Sequence, residues 1–347
     1  MNYLEMDINS LIEKGLSNYN IADVRSESEY MHDHIPSAVN IPLLNDTERN
    51  IIGTIYKKQG PKAARIKGVE IVSPKLPDFI NKFSKYNDKP IVLYCWRGGL
   101  RSESALTFLK LAGFDKVYRL TGGYKKFRAL VNNFFGSMPA KFNLITLYGP
   151  TGCAKTEILE KLKSKIPVIN LEKHALHKGS VFGAIGELQQ YNITQKRFES
   201  KIWYDIYKNN FHSYFLTEGE SKKIGKVVLP ENFFKKMKTG ISVVAEAPKS
   251  FRIDFTLKTY RPELYKNEIA ESLMYLKRYL GSSKISLLLD LLNKDNFAEF
   301  TRILLEDYYD PLYNKSIPPR PDYKIFYDSV EEGTKKLESI YEEITHL

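Results

Sequence analysis

Cys95 stands where an apolar segment meets a loop that contains glycines and arginines. The segment P-I-V-L-Y is typical of a buried strand, and W-R-G-G-L-R-S follows Cys95 before a helical pattern begins. Backbone N–H groups of residues 96–101, together with Arg97 and Arg101, would surround the sulfur with positive potential. Such surroundings favour a thiolate and offer donors to an oxyanion or to a chalcogen on the sulfur. The alternative is a packed structural cysteine.

A second motif, G-P-T-G-C-A-K-T, lies between a predicted strand and a predicted helix, which is the context of a P-loop. Backbone N–H groups would hold a diphosphate, Lys155 would reach its oxygens, and the Thr156 hydroxyl would ligate Mg²⁺. Ala154 takes the place of the second glycine, and we expect a helical backbone there. The predicted diphosphate-binding residues are Gly149, Pro150, Thr151, Gly152, Cys153, Ala154, Lys155 and Thr156.

Two glutamates are candidates for completing a metal site beside this loop. Glu218 ends the predicted strand S-Y-F-L-T-E and Glu220 follows it, and the carboxyl ends of parallel strands lie at one edge of a sheet. Because Mg²⁺ prefers oxygen ligands, the sequence predicts a site made by Thr156, Glu218 and Glu220. The alternative is that both glutamates are ordinary surface carboxylates.

The elements that must position these motifs follow an alternating pattern. Short apolar strands alternate with helical patterns, which predicts an α/β fold with largely parallel sheets. The strand candidates are residues 21–25, 38–42, 90–95, 116–120, 142–148, 166–171, 213–218, 241–246 and 323–328. The segment 132–141 contains Gly, Ser and Pro and predicts a boundary. We therefore expect one domain at 1–135 and a second at 136–347, with a helical insertion at about 263–310.

Composition limits the class of protein. With 43% hydrophobic residues in 347, the chain can bury a core and is not disordered. Two cysteines cannot form a disulfide framework, and the first residues do not resemble a signal peptide. No run of 18 apolar residues occurs, so we expect no membrane contact. The low cysteine count indicates a reducing cytoplasm, and we expect a monomer.

The net charge of +11 favours a polyanionic partner. Before Ala140 there are 20 basic and 14 acidic residues, and from Ala140 onward there are 32 and 27. The excess therefore belongs to both halves of the chain, and a binding face for nucleic acid that runs across both halves remains possible.

The first half resembles rhodanese domains. The segment D-V-R-S-E-S-E-Y-M-H-D-H-I-P-S-A-V-N-I-P (23–42) is similar to their entry segment, and R-L-T-G-G-Y (119–124) is similar to their closing segment. The resemblance implies that Cys95 carries a transferable chalcogen. Five residues separate Cys95 from Arg101, one more than in the usual sulfurtransferase loop and similar to phosphatase loops of the same fold. A phosphatase therefore remains an alternative.

The two halves together resemble the tRNA 2-selenouridine synthase family. Besides C-W-R-G-G-L-R-S, similar segments are I-G-T-I-Y-K-K-Q-G (52–60), L-E-K-H-A-L-H-K-G-S-V-F-G (171–183), T-Q-K-R-F-E (194–199), E-G-E-S-K-K-I-G-K-V-V-L-P (218–230) and D-Y-Y-D-P-L-Y (307–313). Gly219 and Lys222 depart from the expected acid and arginine. This departure weakens the metal-site prediction for Glu218 and Glu220.

This resemblance implies a transferase that replaces sulfur by selenium at the wobble 2-thiouridine of tRNA. Selenophosphate is the implied selenium donor, and S-geranylation from geranyl diphosphate is the implied preceding step. Cys95, Arg97 and Arg101 would serve the selenium step, while the P-loop with Mg²⁺ would hold the prenyl donor's diphosphate. Under this interpretation, the protein does not need to hydrolyse ATP.

Contacts with the tRNA anticodon region are harder to assign. The candidates are Lys57, Lys58, His174, His177, Lys178, Lys196 and Arg197. Tyr308, Tyr309 and Tyr313 are candidates for stacking on an extruded base, although tyrosines at this spacing also serve in cores.

Rival interpretations remain from other classes of protein. One is a P-loop ATPase or kinase with a regulatory rhodanese module. Another is a sulfurtransferase or phosphatase with an appended nucleotide-binding domain. A non-catalytic tRNA-binding scaffold is a third.

Overall fold

The computed structural model describes residues 4–86, 88–186, 193–313 and 316–346. The chain folds as two units, Met1–Phe134 and Phe135–Leu347. Each unit is built on a five-stranded sheet whose neighbouring strands are parallel.

In the first unit, the sheet has the strand order β1-β5-β4-β2-β3. The strands are β1 (Glu5–Met6), β2 (Asn20–Asp23), β3 (Val39–Asn40), β4 (Ile91–Tyr94) and β5 (Val117–Leu120). The helices are α1 (Ile8–Glu13), α2 (Glu27–His32), α3 (Asp46–Val72), α4 (Leu76–Asn81), α5 (Leu100–Leu111) and α6 (Gly123–Gly136).

The central strand β4 carries the core of this unit. All four of its side chains are buried, as expected for a strand covered on both faces. Ile91 and Leu93 pack with Leu106 and Leu109 of α5 and with Phe83 in one cluster. Each such side chain contributes about 1.5–3 kcal/mol by leaving water. The buried strand therefore fixes the position of Cys95, the residue that follows its end.

In the second unit, the strand order is β12-β11-β6-β8-β7, and a separate antiparallel hairpin is formed by β9 and β10. The strands are β6 (Asn143–Tyr148), β7 (Val168–Ile169), β8 (Tyr214–Glu218), β9 (Lys223–Ile224), β10 (Val227–Val228), β11 (Ile241–Glu246) and β12 (Tyr323–Phe326). The helices are α7 (Lys155–Leu162), α8 (Leu171–Ala175), α9 (Gln195–Lys208), α10 (Glu231–Thr239), α11 (Lys249–Tyr260), α12 (Lys266–Met274), α13 (Lys277–Asn293), α14 (Phe297–Leu304), α15 (Asp310–Tyr313) and α16 (Val330–His346).

The helical insertion packs around its own hydrophobic cluster. Leu273 of α12, Leu288 of α13 and Leu304 of α14 belong to it, as do Phe182 and Tyr309. Between α14 and α15 the chain makes a turn of π-helix at Leu305–Tyr309, a feature that often marks a functional segment. This cluster brings the D-Y-Y-D-P-L-Y segment against α11.

The predicted α/β fold class is confirmed, and so are the strands expected at the nine positions above. The sequence interpretation missed β1 and the β9–β10 hairpin, whose strands are only two residues long and show no alternation. The helical region is also longer than expected, since it begins with α11 at Lys249. Among the described residues, no helix is both long and apolar enough to cross a bilayer.

Candidate functional site

Cys95 lies at the carboxyl end of β4, where open parallel sheets bind ligands. Its side chain is 4% exposed, and its Sγ lies 3.2 Å from the Ser102 hydroxyl and 3.7 Å from the Gly99 carbonyl oxygen. Helix α5 begins at Leu100, immediately after these contacts. The sulfur is therefore held at a helix N-terminus, as the sequence predicts.

The cysteine loop is locked against the first turn of α6. The N–H groups of Tyr124 and Lys125 donate to the carbonyl oxygens of Cys95 and Trp96 at 3.0 and 2.9 Å. A Cβ on Gly123 would lie 2.2 Å from the Cys95 carbonyl oxygen. A Cβ on Gly98 would lie 2.5 Å from the Leu120 carbonyl oxygen. Both glycines also have positive φ, so the close approach of the two loops requires glycine at both positions.

The entry segment reinforces the same end of the sheet. The Arg25 guanidinium is buried, pairs with Asp23 at 2.6 Å and donates to the Asp33 carbonyl oxygen at 2.7 Å. The Tyr124 hydroxyl donates to the Asp33 carboxylate at 2.8 Å, and its ring centroid lies 4.0 Å from the Arg25 guanidinium carbon. The entry and closing segments thus form one hydrogen-bonded support beneath the cysteine loop.

A cleft of about 460 Å³ opens beside Cys95 and is lined by Trp96, Arg97 and Arg101. Arg97 is exposed, whereas Arg101 pairs with Glu29 at 2.5 Å. Both predicted arginines therefore stand at the cleft, but Arg101 already has a carboxylate partner. Glu29 was absent from the sequence interpretation because it lies on α2, far from the cysteine motif in the chain.

The P-loop connects β6 to α7 in the second unit. Gly152 has φ +86°, and a Cβ there would lie 2.6 Å from the Arg252 carbonyl oxygen, so the turn requires glycine. The Lys155 ammonium donates to the Gly149 carbonyl oxygen at 2.8 Å. The loop and the start of α7 line a second cleft of about 460 Å³. This arrangement suits a diphosphate at a helix N-terminus.

The expectation of a helical backbone at Ala154 is wrong. Ala154 has φ 54° and ψ 25°, which is the left-handed region. This conformation costs an L-residue roughly 1–2 kcal/mol, which is why glycine is usual at such a position. The side chain is buried, and α7 begins with the next residue.

Three glutamates converge on the Thr156 side of this cleft. The Thr156 hydroxyl donates to Glu172 Oε2 at 2.5 Å, and the Glu172 N–H donates to Glu218 Oε1 at 2.7 Å. Glu218 and Glu220 are buried, which contradicts the surface alternative. Burial, then repulsion from Glu172, raises the pKa of Glu218 to about 8 and that of Glu220 well above its usual range.

Sequence reasoning missed Glu172. Glu172 comes shortly after β7, and β7 pairs in parallel with β8, the strand that ends at Glu218. This pairing was the signal that could have placed Glu172 near Glu218. Gly219 lies between the other two acids, where a Cβ would meet Tyr148 Cδ1 at 2.3 Å. The Tyr148 ring therefore excludes the acid that the family resemblance leads one to expect at this position.

The D-Y-Y-D-P-L-Y segment also reaches the P-loop. Arg252 of α11 donates to the Thr151 carbonyl oxygen at 2.8 Å and pairs with Asp310 at 2.5 Å. The Lys155 ammonium lies 5.2 Å from the centroid of the Tyr313 ring. Tyr313 therefore forms a wall of the cleft, which was not apparent from the sequence.

The basic candidates for RNA contact fall into two groups. Lys57 and Lys58 are exposed on α3, just before its kink at Gly60, and Lys196 is exposed on α9. Arg197 is half-buried, and its N–H donates to the N-cap Thr194 hydroxyl at 3.1 Å. These four positions are compatible with contact to a large polyanion.

The other three candidates are packed more deeply. His174 is buried and hydrogen-bonds Asp205 at 2.5 Å, so it supports the fold and we correct its predicted RNA contact. His177 is half-buried, and its Nδ1 accepts from the Gly179 N–H at 3.2 Å. Lys178 donates to the Ile185 carbonyl oxygen at 3.1 Å and lines the P-loop cleft. Lys178 is therefore better placed for the cleft's ligand than for RNA.

Fold and loops together define the class as a rhodanese-like domain joined to a P-loop domain. The family model for the rhodanese-like domain matches residues 7–130, and the model described as the tRNA 2-selenouridine synthase AAA domain matches residues 142–343. The chain belongs to the tRNA 2-selenouridine synthase family.

Two relatives agree with this assignment, and one solved structure is similar to part of the chain. The tRNA 2-selenouridine synthase of Shewanella frigidimarina is 30% identical, over 90% of this chain and 92% of that protein. That of Nitrosomonas eutropha is 32% identical, over 73% of this chain and 66% of that protein. A crystal structure of the N-terminal domain of a Clostridium difficile 630 protein is 42% identical over 37% of this chain and 98% of that chain, with a TM-score of 0.33.

Proposed function

We propose that this protein converts wobble 2-thiouridine of tRNA to 2-selenouridine in two steps, with geranyl diphosphate and selenophosphate as co-substrates. The observation that supports this most directly is the pair of anion sites at the carboxyl ends of β4 and β6, in a chain that matches the family over most of its length. One site offers a nucleophilic sulfur, and the other offers a diphosphate cradle.

The P-loop unit would carry the prenyl step. The thiocarbonyl sulfur attacks the allylic carbon of geranyl diphosphate and a C–S bond forms. The C–O bond breaks with its electron pair leaving on the diphosphate, and the N3 proton of the base goes to solvent. Lys155 exchanges its contact with the Gly149 carbonyl oxygen for the diphosphate oxygens. Lys178, which lines the same cleft, adds a second positive charge. This charge stabilises the departing group electrostatically.

The acids beside Thr156 fit a divalent cation. Glu218 Oε2 and Glu220 Oε1 are buried without a hydrogen-bond partner among the described residues, and the raised pKa values of both groups show that their ionised forms lack a compensating positive charge. Within the same ranges, no three His, Cys, Asp or Glu side chains are arranged to hold a metal by themselves. Thr156, Glu218 and Glu220 would instead hold Mg²⁺ together with diphosphate oxygens, while Glu172 would orient the Thr156 hydroxyl. When bound, Mg²⁺ supplies charge that stabilises the leaving diphosphate.

The rhodanese-like unit would carry the selenium step. S-geranylation makes the sulfur a better leaving group, so the selenium atom of selenophosphate adds at C2 and geranylthiol departs with a proton. Water then takes the phosphoryl group, which breaks the P–Se bond and releases phosphate. Cys95 serves the transfer of selenium, while Arg97 and Arg101 hold the phosphoryl part of the donor. Exposed Lys57, Lys58, Lys196 and the half-buried Arg197 would contact tRNA phosphates.

The test is mass spectrometry of nucleosides from tRNA incubated with the protein and both donors. Cys95→Ala should abolish selenium incorporation and leave geranylation intact, whereas Lys155→Ala should reduce geranylation. Lys161→Ala is the control, because Lys161 lies on the same helix and pairs with Glu331 on the surface. An unmodified wobble nucleoside with folded protein and both donors present would refute the proposal.

A further inference from the structure

The cysteine cleft contains an arginine that no motif indicates. Arg49, near the start of α3, lines the cleft with Cys95, Arg97 and Arg101. Its Nε lies 3.1 Å from Glu29 Oε2, the same oxygen that Arg101 contacts at 2.5 Å. One carboxylate thus joins two arginines from different helices at the wall of the cleft.

Glu29 is held in this place by local structure as well as by charge. It is the third residue of α2 and forms a capping box with Ser26, whose hydroxyl lies 3.2 Å from Glu29 Oε2. Burial alone would oppose ionisation, but the hydrogen bonds from Arg101 and the charge of Arg49 hold the pKa of Glu29 below its usual range. An ionised carboxylate therefore occupies the position between the two guanidinium groups.

Three arginines against one carboxylate leave the cleft with excess positive charge around a buried thiol. A guanidinium binds carboxylate and phosphate oxygens in the same planar geometry, so a carboxylate between two arginines marks a place that suits a second oxyanion. The Arg49 side chain is 46% exposed and the Arg101 side chain 20%, so both have room to turn toward a ligand.

We propose that Arg49 is a third ligand-binding arginine of the cysteine cleft. Glu29 occupies the oxyanion position until a small tetrahedral oxyanion displaces it and binds Arg49 and Arg101. This inference deepens the proposed function and rests on the assignment of the cleft to an oxyanion donor. Arg49 and Arg101 transfer their hydrogen bonds from Glu29 to the anion, and no covalent bond changes. Glu29 thereby sets the affinity for the anion, because its carboxylate competes for the same donors.

Alkylation of Cys95 by iodoacetate and iodoacetamide tests this without the natural donor. In both reactions the sulfur displaces iodide, but only iodoacetate carries an anionic oxygen pair, so the ratio of the two rates reports the anion preference of the cleft. Peptide mass spectrometry follows Cys95 separately from the buried Cys153. Arg49→Gln should lower the ratio about threefold and Glu29→Gln should raise it about threefold, as expected for one charge at about 6 Å in a water-like dielectric.

The matched control is Arg65→Gln, the same change at an exposed position of the same helix outside the cleft. Inorganic phosphate should slow the alkylation of Cys95 by iodoacetate more in the wild type than in Arg49→Gln. Arg49→Lys keeps the charge and should retain most of the ratio, which separates charge from misfolding. Equal ratios in the Arg49 and Arg65 variants, or a lower ratio in Glu29→Gln, would overturn the proposal.

The outcomes also separate this inference from the proposed function. If the ratios change as expected and the wild-type protein incorporates no selenium, the oxyanion site stands and the selenium function fails. If selenium is incorporated and the Arg49 and Arg65 variants keep equal ratios, the function stands and the role of Arg49 fails.

Discussion

At the scale of single residues, Ala154 is the clearest departure from a conventional P-loop. Its backbone is in the left-handed region, which costs free energy for alanine but not for glycine. We predict that Ala154→Gly raises the free energy of unfolding by about 0.5–1 kcal/mol, since part of the relief is offset by the greater freedom of glycine in the unfolded chain. Urea unfolding of the full chain measures this.

The control for that substitution is Ala105→Gly in α5. Ala105 is buried in the middle of a regular helix, so the same change should cost about 1 kcal/mol. Destabilisation of similar size in both variants would show that Ala154 carries no backbone strain.

Gly219 and Tyr148 form a second residue-scale test, because a Cβ at position 219 would overlap the tyrosine ring. We predict that Gly219→Ala costs about 1–3 kcal/mol in the wild type through overpacking. In a Tyr148→Ala background the same change should cost little, so the double-mutant cycle gives a large coupling energy. Additive costs would mean that the ring moves aside freely.

At the scale of elements, the contact of Arg252 with Asp310 joins α11 and α15 to the P-loop. Arg252 is buried, so Asp310→Asn leaves its charge poorly compensated and should cost about 1–3 kcal/mol. Because Arg252 also holds the Thr151 carbonyl oxygen, the variant should bind pyrophosphate more weakly in calorimetry.

Asp307→Asn is the matched control within the same segment. Asp307 pairs with Lys284, and both side chains are 38% exposed, so its loss should change stability by less than about 1 kcal/mol. Weakening of pyrophosphate binding to the same extent in both variants would argue against a specific role for Arg252.

Most elements were predictable because they carry a local pattern. The apolar run of β4 and the G-P-T-G-C-A-K-T motif each indicate their conformation within ten residues of sequence. The residues that complete the two sites, Glu29, Arg49 and Glu172, could not be predicted in this way, because only tertiary packing brings them to the sites. The left-handed Ala154 was missed for another reason, since a tertiary constraint there overrides the preference of alanine.

At the scale of the whole molecule, the charge of +11 should govern affinity for tRNA. Phosphate contacts release counterions, so binding should weaken steeply as salt rises. We predict that the Lys57→Gln and Lys58→Gln pair lowers the slope of log affinity against log salt by up to about two if both lysines contact phosphate. Filter binding across a salt series measures the slope.

Lys324→Gln with Lys335→Gln provides the comparison, because these two lysines are exposed and lie outside the proposed RNA contacts. An equal fall in slope for both pairs would indicate diffuse attraction. A slope near zero in the wild type would remove the electrostatic argument altogether.

The close contact between Gly98 of the cysteine loop and Gly123 at the start of α6 has a consequence for protein engineering. Neither segment has room for a Cβ where it touches the other. The N–H groups of Tyr124 and Lys125 also donate hydrogen bonds to main-chain carbonyl oxygens of the cysteine loop. Grafting Cys95 and its neighbours onto another scaffold would therefore fail without T-G-G-Y. The two short peptides would have to be transferred together.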